Sequence, residues 1–116
     1  MAKLVCEVPR WKLLKAMLNN LKTTAFLEKY KTTADAVLVD VRTIEEFNRQ
    51  HLPDALHFDY LAEGFLDQLD SMDKGTTYFV YCQSSRRSTR TCTLLKNSGF
   101  NKVFNLDGGL NEMNNK

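Results

Sequence analysis

"YFVYCQSSRRSTRTCTLLKNSGF", residues 78–100, decides how this 116-residue chain folds. Tyr78, Phe79, Val80 and Tyr81 form an unbroken apolar run, the mark of a strand covered on both faces; a half-buried strand would alternate. The run ends at Cys82, and the residues that follow, Gln83, Ser84, Ser85, Arg86, Arg87 and Ser88, are all polar or cationic. From Ser88 onward the sequence turns helical, with Cys92 and Leu95 on one side, Leu94 at its edge, and Gly99 placed to cap the C-terminal end. Strand, short loop and helix make half of a βαβ unit, which joins parallel strands.

The same alternation extends in both directions. Residues 36–41, "AVLVDV", read as a second buried strand. Thr43 and Glu46 then form a capping box that starts a helix with Ile44 and Phe47 facing inward. Pro53 breaks that helix, residues 55–58 return as a short strand, and Phe65, Leu66, Leu69 and Met72 give a helical stripe. "DKGTT", residues 73–77, is a turn with Gly75 at its positive-φ position. Downstream, residues 102–106 are a further strand, and "DGGLNEMNNK" is a turn followed by a short helix. The pattern predicts an α/β fold: one domain over residues 21–116, with a central parallel sheet of four to five strands and helices on both faces. Residues 1–20 read as an amphipathic N-terminal extension, Pro9 at the first helical position and Trp11, Leu14, Leu18 and Leu21 along one face. Packing on the same domain is the expectation, with a membrane-surface or dimer role as the alternatives.

Composition narrows the function. Hydrophobic residues at 43% and charged residues at 26% describe a globular chain. A net charge of +2 is too balanced for a nucleic-acid surface, and no apolar run reaches the length of a membrane helix. Glu7 and Pro9 interrupt the first residues, so no secretory signal is expected there. Three cysteines, Cys6, Cys82 and Cys92, form an odd set without C-x-x-C spacing, and the histidines are His51 and His57; free thiols in a reducing cytoplasm, no metal and no cofactor are expected.

Cys82 carries the chemistry. In a parallel α/β sheet, ligands bind beyond the carboxyl ends of the strands, which is where Cys82 stands. Backbone N–H groups of the loop and the first turn of the next helix converge there and favour an anion. The first such anion is the thiolate, so the position predicts a lowered thiol pKa and a nucleophile. Arg86 and Arg87 are expected to stabilise it and to attract an anionic co-substrate. A solvated loop with an incidental cysteine is the plainer alternative, and the strand-end position weighs against it.

Two stretches carry a resemblance. "LVDVRTIEEFNRQHLPDALHF" and "VYCQSSRRSTRTCTLLKNSGFNKVFNLDGGL" stand in the order of the two signatures of the single-domain rhodanese (thiosulfate sulfurtransferase-like) family, which the chain resembles from about residue 21 to residue 113. The resemblance implies a sulfurtransferase in which Cys82 takes sulfur from a donor such as thiosulfate, becomes a persulfide and passes the sulfur to cyanide or a thiol. Gln83, Ser84, Ser85, Arg86, Arg87 and Ser88 would bind the transferred group, and the partners would be small-molecule donors and acceptors or a sulfur-relay protein. The related phosphatases and arsenate reductases carry Cys-x5-Arg, whereas here the arginine, Arg87, falls at the fifth position after Cys82 and Ser88 at the sixth. The shorter loop suits one sulfur better than a tetrahedral oxyanion. The Cys-Gly-x-Gly loop of mercaptopyruvate-type enzymes is absent, which favours a thiosulfate- or persulfide-type donor.

The remaining residues read as scaffold. Asp40 and Arg42 are expected to anchor the fold, with Arg42 pairing with Glu45 or Glu46. His51 is expected to fix a turn, Cys92 to be a buried thiol rather than a resolving one, and Gly108 and Gly109 to permit close approach beside the active loop. Asp54 stands where the family usually has Gly and tolerates positive φ. Met113 stands where the family has Trp, so the last helix is expected to pack differently.

Overall fold

A computed structural model describes residues 10–114, apart from the Trp11 side chain; Cys6 and Pro9 lie outside the described residues. The chain runs α1 (Arg10–Ala16), β1 (Asn19–Leu21), α2 (Thr23–Thr32), β2 (Val37–Asp40), α3 (Ile44–Arg49), β3 (Leu56–His57), α4 (Phe65–Asp70), β4 (Tyr78–Tyr81), α5 (Arg86–Asn97), β5 (Val103–Leu106) and α6 (Gly109–Asn114). The five strands form one sheet in the order β1-β5-β4-β2-β3, and every pairing is parallel. The α/β architecture with helices on both faces is the one the sequence predicts.

The unbroken apolar run of β4 has its cause in the two faces of the sheet. Tyr78, Val80 and Cys82 point to one side, where Phe65 and Leu69 of α4 and Cys92 and Leu95 of α5 complete a core. Phe79 and Tyr81 point to the other, against Phe26 of α2 and Leu110 of α6. Burying one such side chain contributes about 1.5–3 kcal/mol.

The strand order places the site. From β2 the chain moves outward to β3, and from β4 it moves the opposite way to β5. The adjacent strands β2 and β4 are therefore the switch point of the sheet, and a crevice opens beyond their carboxyl ends. Asp40 ends β2 and Cys82 follows β4 at that crevice.

Several local expectations change. The first helix stops at Ala16 instead of carrying its stripe to Leu21; Leu21 lies in β1, which pairs with β5 and supplies the fifth strand. Asn20 explains the break, since its side-chain amide donates to the Lys15 carbonyl at 2.7 Å and gives the last turn a partner outside the helix. Helix α2 carries a weak apolar stripe and buries only Phe26, so periodicity did not reveal it. Ile44 is exposed rather than inward, because α3 has fewer than two turns and fully buries none of its residues. The strand expected over residues 55–58 pairs only at Leu56–His57. Gly75 does not take positive φ: the Asp73 carboxylate accepts from its N–H at 3.1 Å and turns the chain without it. Asp54 at φ 67° and Gly99 at φ 95° do occupy the left-handed region, as their positions predict.

Gly99→Ala is expected to cost roughly 1–2 kcal/mol, the penalty for a Cβ in that region, whereas Gly75→Ala stays within about 0.5 kcal/mol of wild type. Urea unfolding of the two variants separates them.

Candidate active site

The Cys82 side chain is fully buried, 0% exposed, at the floor of the loop. The Ser85 N–H donates to Sγ at 3.1 Å and the Ser88 N–H at 3.3 Å; the Ser88 hydroxyl lies 3.5 Å away. Two features of chain geometry bring those donors together. Ser85 adopts φ 76°, which reverses the chain just before α5 and points its N–H back at the sulfur. Ser88 sits in the first turn of α5, where N–H groups have no partner within the helix. The sulfur thus lies at the positive end of a twelve-residue helix.

A loop that sends N–H groups inward leaves carbonyls pointing out. Leu110 N–H donates to the Cys82 carbonyl at 3.0 Å and Asn111 N–H to the Gln83 carbonyl at 2.9 Å, so the start of α6 backs the loop. This contact requires Gly109: a Cβ there would lie 2.5 Å from the Gln83 oxygen and 2.6 Å from that of Cys82, and its φ is +62°. The expected close approach occurs at Gly109; at Gly108, just before α6, the neighbour is the Glu112 side chain.

Two ion pairs frame the crevice. Arg42 donates to Asp40 at 2.8 and 3.1 Å inside the protein, with 3% and 0% of the residues exposed, so its partner is Asp40 and not Glu45 or Glu46. Burial opposes the Arg42 charge, and Asp40 outweighs it to raise the pKa. Arg42 also donates to the Gln50 carbonyl and to Gln83 Oε1 at 3.3 Å. Removing one member of such a buried pair costs about 3–5 kcal/mol.

Glu46 is the partner of Arg87. The guanidinium grips the carboxylate at 2.8 and 3.0 Å, joining α3 to α5 across the crevice. The Thr43 N–H and hydroxyl donate to the same carboxylate at 2.9 and 3.0 Å, which completes the expected capping box. The Arg87 bond first, and the Thr43 bonds with it, hold Glu46 down at about 2 against the opposing effect of burial.

The other residues singled out in the sequence have defined places. Gln83 lies between Arg42 and Asn111, whose Oδ1 accepts from its amide at 2.7 Å. Ser84 and Arg86 are the exposed members of the loop. The His51 ring stacks on Phe47 at 3.8 Å, with Nδ1 2.9 Å from the Phe47 carbonyl, a turn-fixing role as expected. Cys92 is buried, and burial first, with the nearby Cys82 adding to it, pushes its thiol strongly up, so it stays protonated in the core. Met113 packs half-buried against Leu110 and its neighbours. Among the described residues no group of three or more His, Cys, Asp or Glu is placed to hold a metal, and no helix is long and apolar enough to cross a membrane. Sequence reasoning missed Glu46 and Asn111 as supports of the loop; the capping-box signal marked Glu46, but nothing local pointed it at Arg87.

Because Glu46 titrates lower folded than unfolded, its pairing adds stability above the unfolded value of about 4.3, and the stability is lost as pH falls toward 2. Glu46→Gln is therefore expected to be less stable than wild type at pH 7, and the gap in urea midpoint to narrow steadily below about pH 4.3. A gap independent of pH would remove the charge from the explanation.

The chain is similar to known proteins in sequence and in fold. The family model for the Rhodanese-like domain matches residues 23–116. A sulfurtransferase of Allochromatium vinosum is 30% identical over 94 residues, covering 81% of this chain and 86% of that protein. A thiosulfate sulfurtransferase of Pseudomonas savastanoi is 34% identical over 74 residues, 64% of this chain and 68% of its own length. The crystal structure of a rhodanese-like domain protein from Staphylococcus aureus superposes with a TM-score of 0.72 at 25% identity, over 82% of this chain and 90% of that one. With the switch-point cysteine, the loop and the parallel sheet all in place, the chain belongs to the rhodanese-like domain family.

Proposed function

We propose that this protein is a sulfurtransferase that works through a persulfide on Cys82, in a domain comprising residues 21–116 with residues 1–20 as an extension. The observation that carries the reading is the convergence of the Ser85 and Ser88 N–H groups on Sγ at the positive end of α5. Those donors support a thiolate and then the outer sulfur of a persulfide without any change of charge in the protein. The Cys82 thiolate attacks the sulfane sulfur of thiosulfate; the S–S bond of the donor breaks and sulfite leaves with the electron pair. Cyanide or a thiolate then attacks the outer sulfur, and Cys82 departs as thiolate. A reducing, cytoplasmic setting keeps that thiolate available.

The loop residues divide the work. Ser85 and Ser88 hold the sulfur, and Gln83 braces the loop through Arg42 and Asn111. Arg87, held by Glu46, keeps the loop closed, while the exposed Ser84 and Arg86 meet the incoming donor. A second reading, a sulfur carrier that passes its sulfur to a protein and turns over small molecules poorly, draws on one observation: Cys82 is wholly covered, so a small donor reaches it only through the loop.

Mass spectrometry after incubation with thiosulfate should show one added sulfur on wild type and none on Cys82→Ser; no gain from any sulfane donor removes the persulfide reading. Arg86→Ala should raise KM for thiosulfate more at low salt than at high salt, as expected of an exposed steering charge. Arg87→Ala should lower kcat equally at both, as expected of a lost strut.

A further inference from the structure

Helix α5, whose first turn cradles Cys82, carries a second feature along its length. Helix α1 lies along α5, and between them opens a groove of about 400 Å³ lined by Arg10, Leu14, Tyr60, Arg90, Thr93 and Leu94. Arg90 follows Arg86 by one turn of α5, so along the axis the groove begins about 6 Å from the helix end that cradles the sulfur. Tyr60 comes from the loop beyond the carboxyl end of β3, and its ring meets Phe65 edge-on at 5.2 Å, which fixes that wall.

The chemistry of the groove is mixed. Leu14, Leu94 and the Tyr60 ring give an apolar floor, while Arg10 and Arg90 are exposed and form no salt bridge among the described residues. An unpaired guanidinium on each side of an apolar floor matches a carboxylate-bearing chain with apolar side chains better than a bare anion, which gains nothing from the leucines. Leu94 also lines a neighbouring groove of about 160 Å³ that continues over Leu66, Leu69 and Phe100, with the exposed Asp70 at that end. The site for carboxylates is therefore the Arg10–Arg90 end, and the far end takes apolar side chains. Leu66, at 59% exposed, is the open part of that strip. An elongated surface of this kind fits a segment of a protein, not a small solute.

We infer that the α1–α5 groove docks an acidic segment of a partner protein that exchanges sulfur with Cys82. The inference rests on the persulfide reading and names the acceptor class for that site. The segment brings a thiolate to the loop; it attacks the outer sulfur of the persulfide, the Cys82 S–S bond breaks, Cys82 leaves as thiolate and the partner carries the new persulfide. Carboxylates beside that cysteine pair with Arg10 and Arg90, and flanking leucines cover Leu14 and Leu94.

The test uses the full chain and two short probe peptides, each with one cysteine, one built with glutamate and leucine around it and the other with lysine and leucine. At low salt the persulfide should pass to the acidic peptide about tenfold faster than to the basic one, within the range of electrostatic steering. The double variant Arg10→Glu/Arg90→Glu should reverse the preference while its transfer to cyanide stays at the wild-type rate, which also shows that it folds. Anisotropy of the labelled peptides on Cys82→Ser should show the same order of binding, a readout that needs no sulfur transfer. If no persulfide forms, the catalytic reading fails and the binding arm still decides the groove. Equal binding of the two peptides, or a preference that survives the double variant, overturns the docking site. So does a wild-type dimer in sedimentation that the double variant dissolves, which would give the groove to a second copy of the chain.

Discussion

A loop that turns its N–H groups toward one atom must turn its carbonyls away from it, and those carbonyls need donors of their own. In this protein that constraint organises everything around Cys82. The carbonyls of Cys82 and Gln83 are met by the first N–H groups of α6, which themselves have no partner within their helix. One set of orphaned donors serves the sulfur and another serves the back of the loop. The cradle is thus held between two helix starts, and the glycine that lets them approach stands where no side chain fits.

Charge is handled by the same economy. Three of the cations near the crevice or the edge of the sheet are committed within the fold: Arg42 to Asp40, Arg87 to Glu46, and Lys15 to Asp107. Burial works against the Asp107 carboxylate, yet Lys15 and Lys22 hold it below its ordinary range and tie α1 and the start of α2 to the end of β5. The positive potential at the sulfur has two sources, the oriented N–H groups of Ser85 and Ser88 and the Arg87 guanidinium, which also interacts with Cys82. Neither a backbone N–H nor an arginine loses its charge near neutral pH, so the site keeps its field over a wide range of pH.

Much of this was legible in the sequence, and the boundary is physical. The apolar run 78–81, the capping box at Thr43 and Glu46, and the cysteine before two arginines are local patterns, and each specifies its structure through neighbours within a few residues. The helix α2 was hidden because only Phe26 is fully buried, with Leu27 and Tyr30 partly so among polar and charged neighbours, which leaves a weak stripe. The partner of Arg87 was hidden because Glu46 lies 41 residues away in sequence, a contact that only the parallel order of β2 and β4 creates. Gly75 misled because a carboxylate two residues earlier produced the turn that glycine was expected to allow. Sequence patterns report what residues do for their own segment; which segments meet follows from the topology.

The two ends of the sheet have a consequence of another kind. β1 is three residues long and β3 is two, so the outermost strands offer an incoming chain only a few open backbone groups. Leu56 on β3 is half exposed, yet the strand ends before a second polypeptide could add a register of bonds along it. Protection against strand-by-strand polymerisation is therefore written into the brevity of the borders, and lengthening either one would remove it while leaving the interior unchanged.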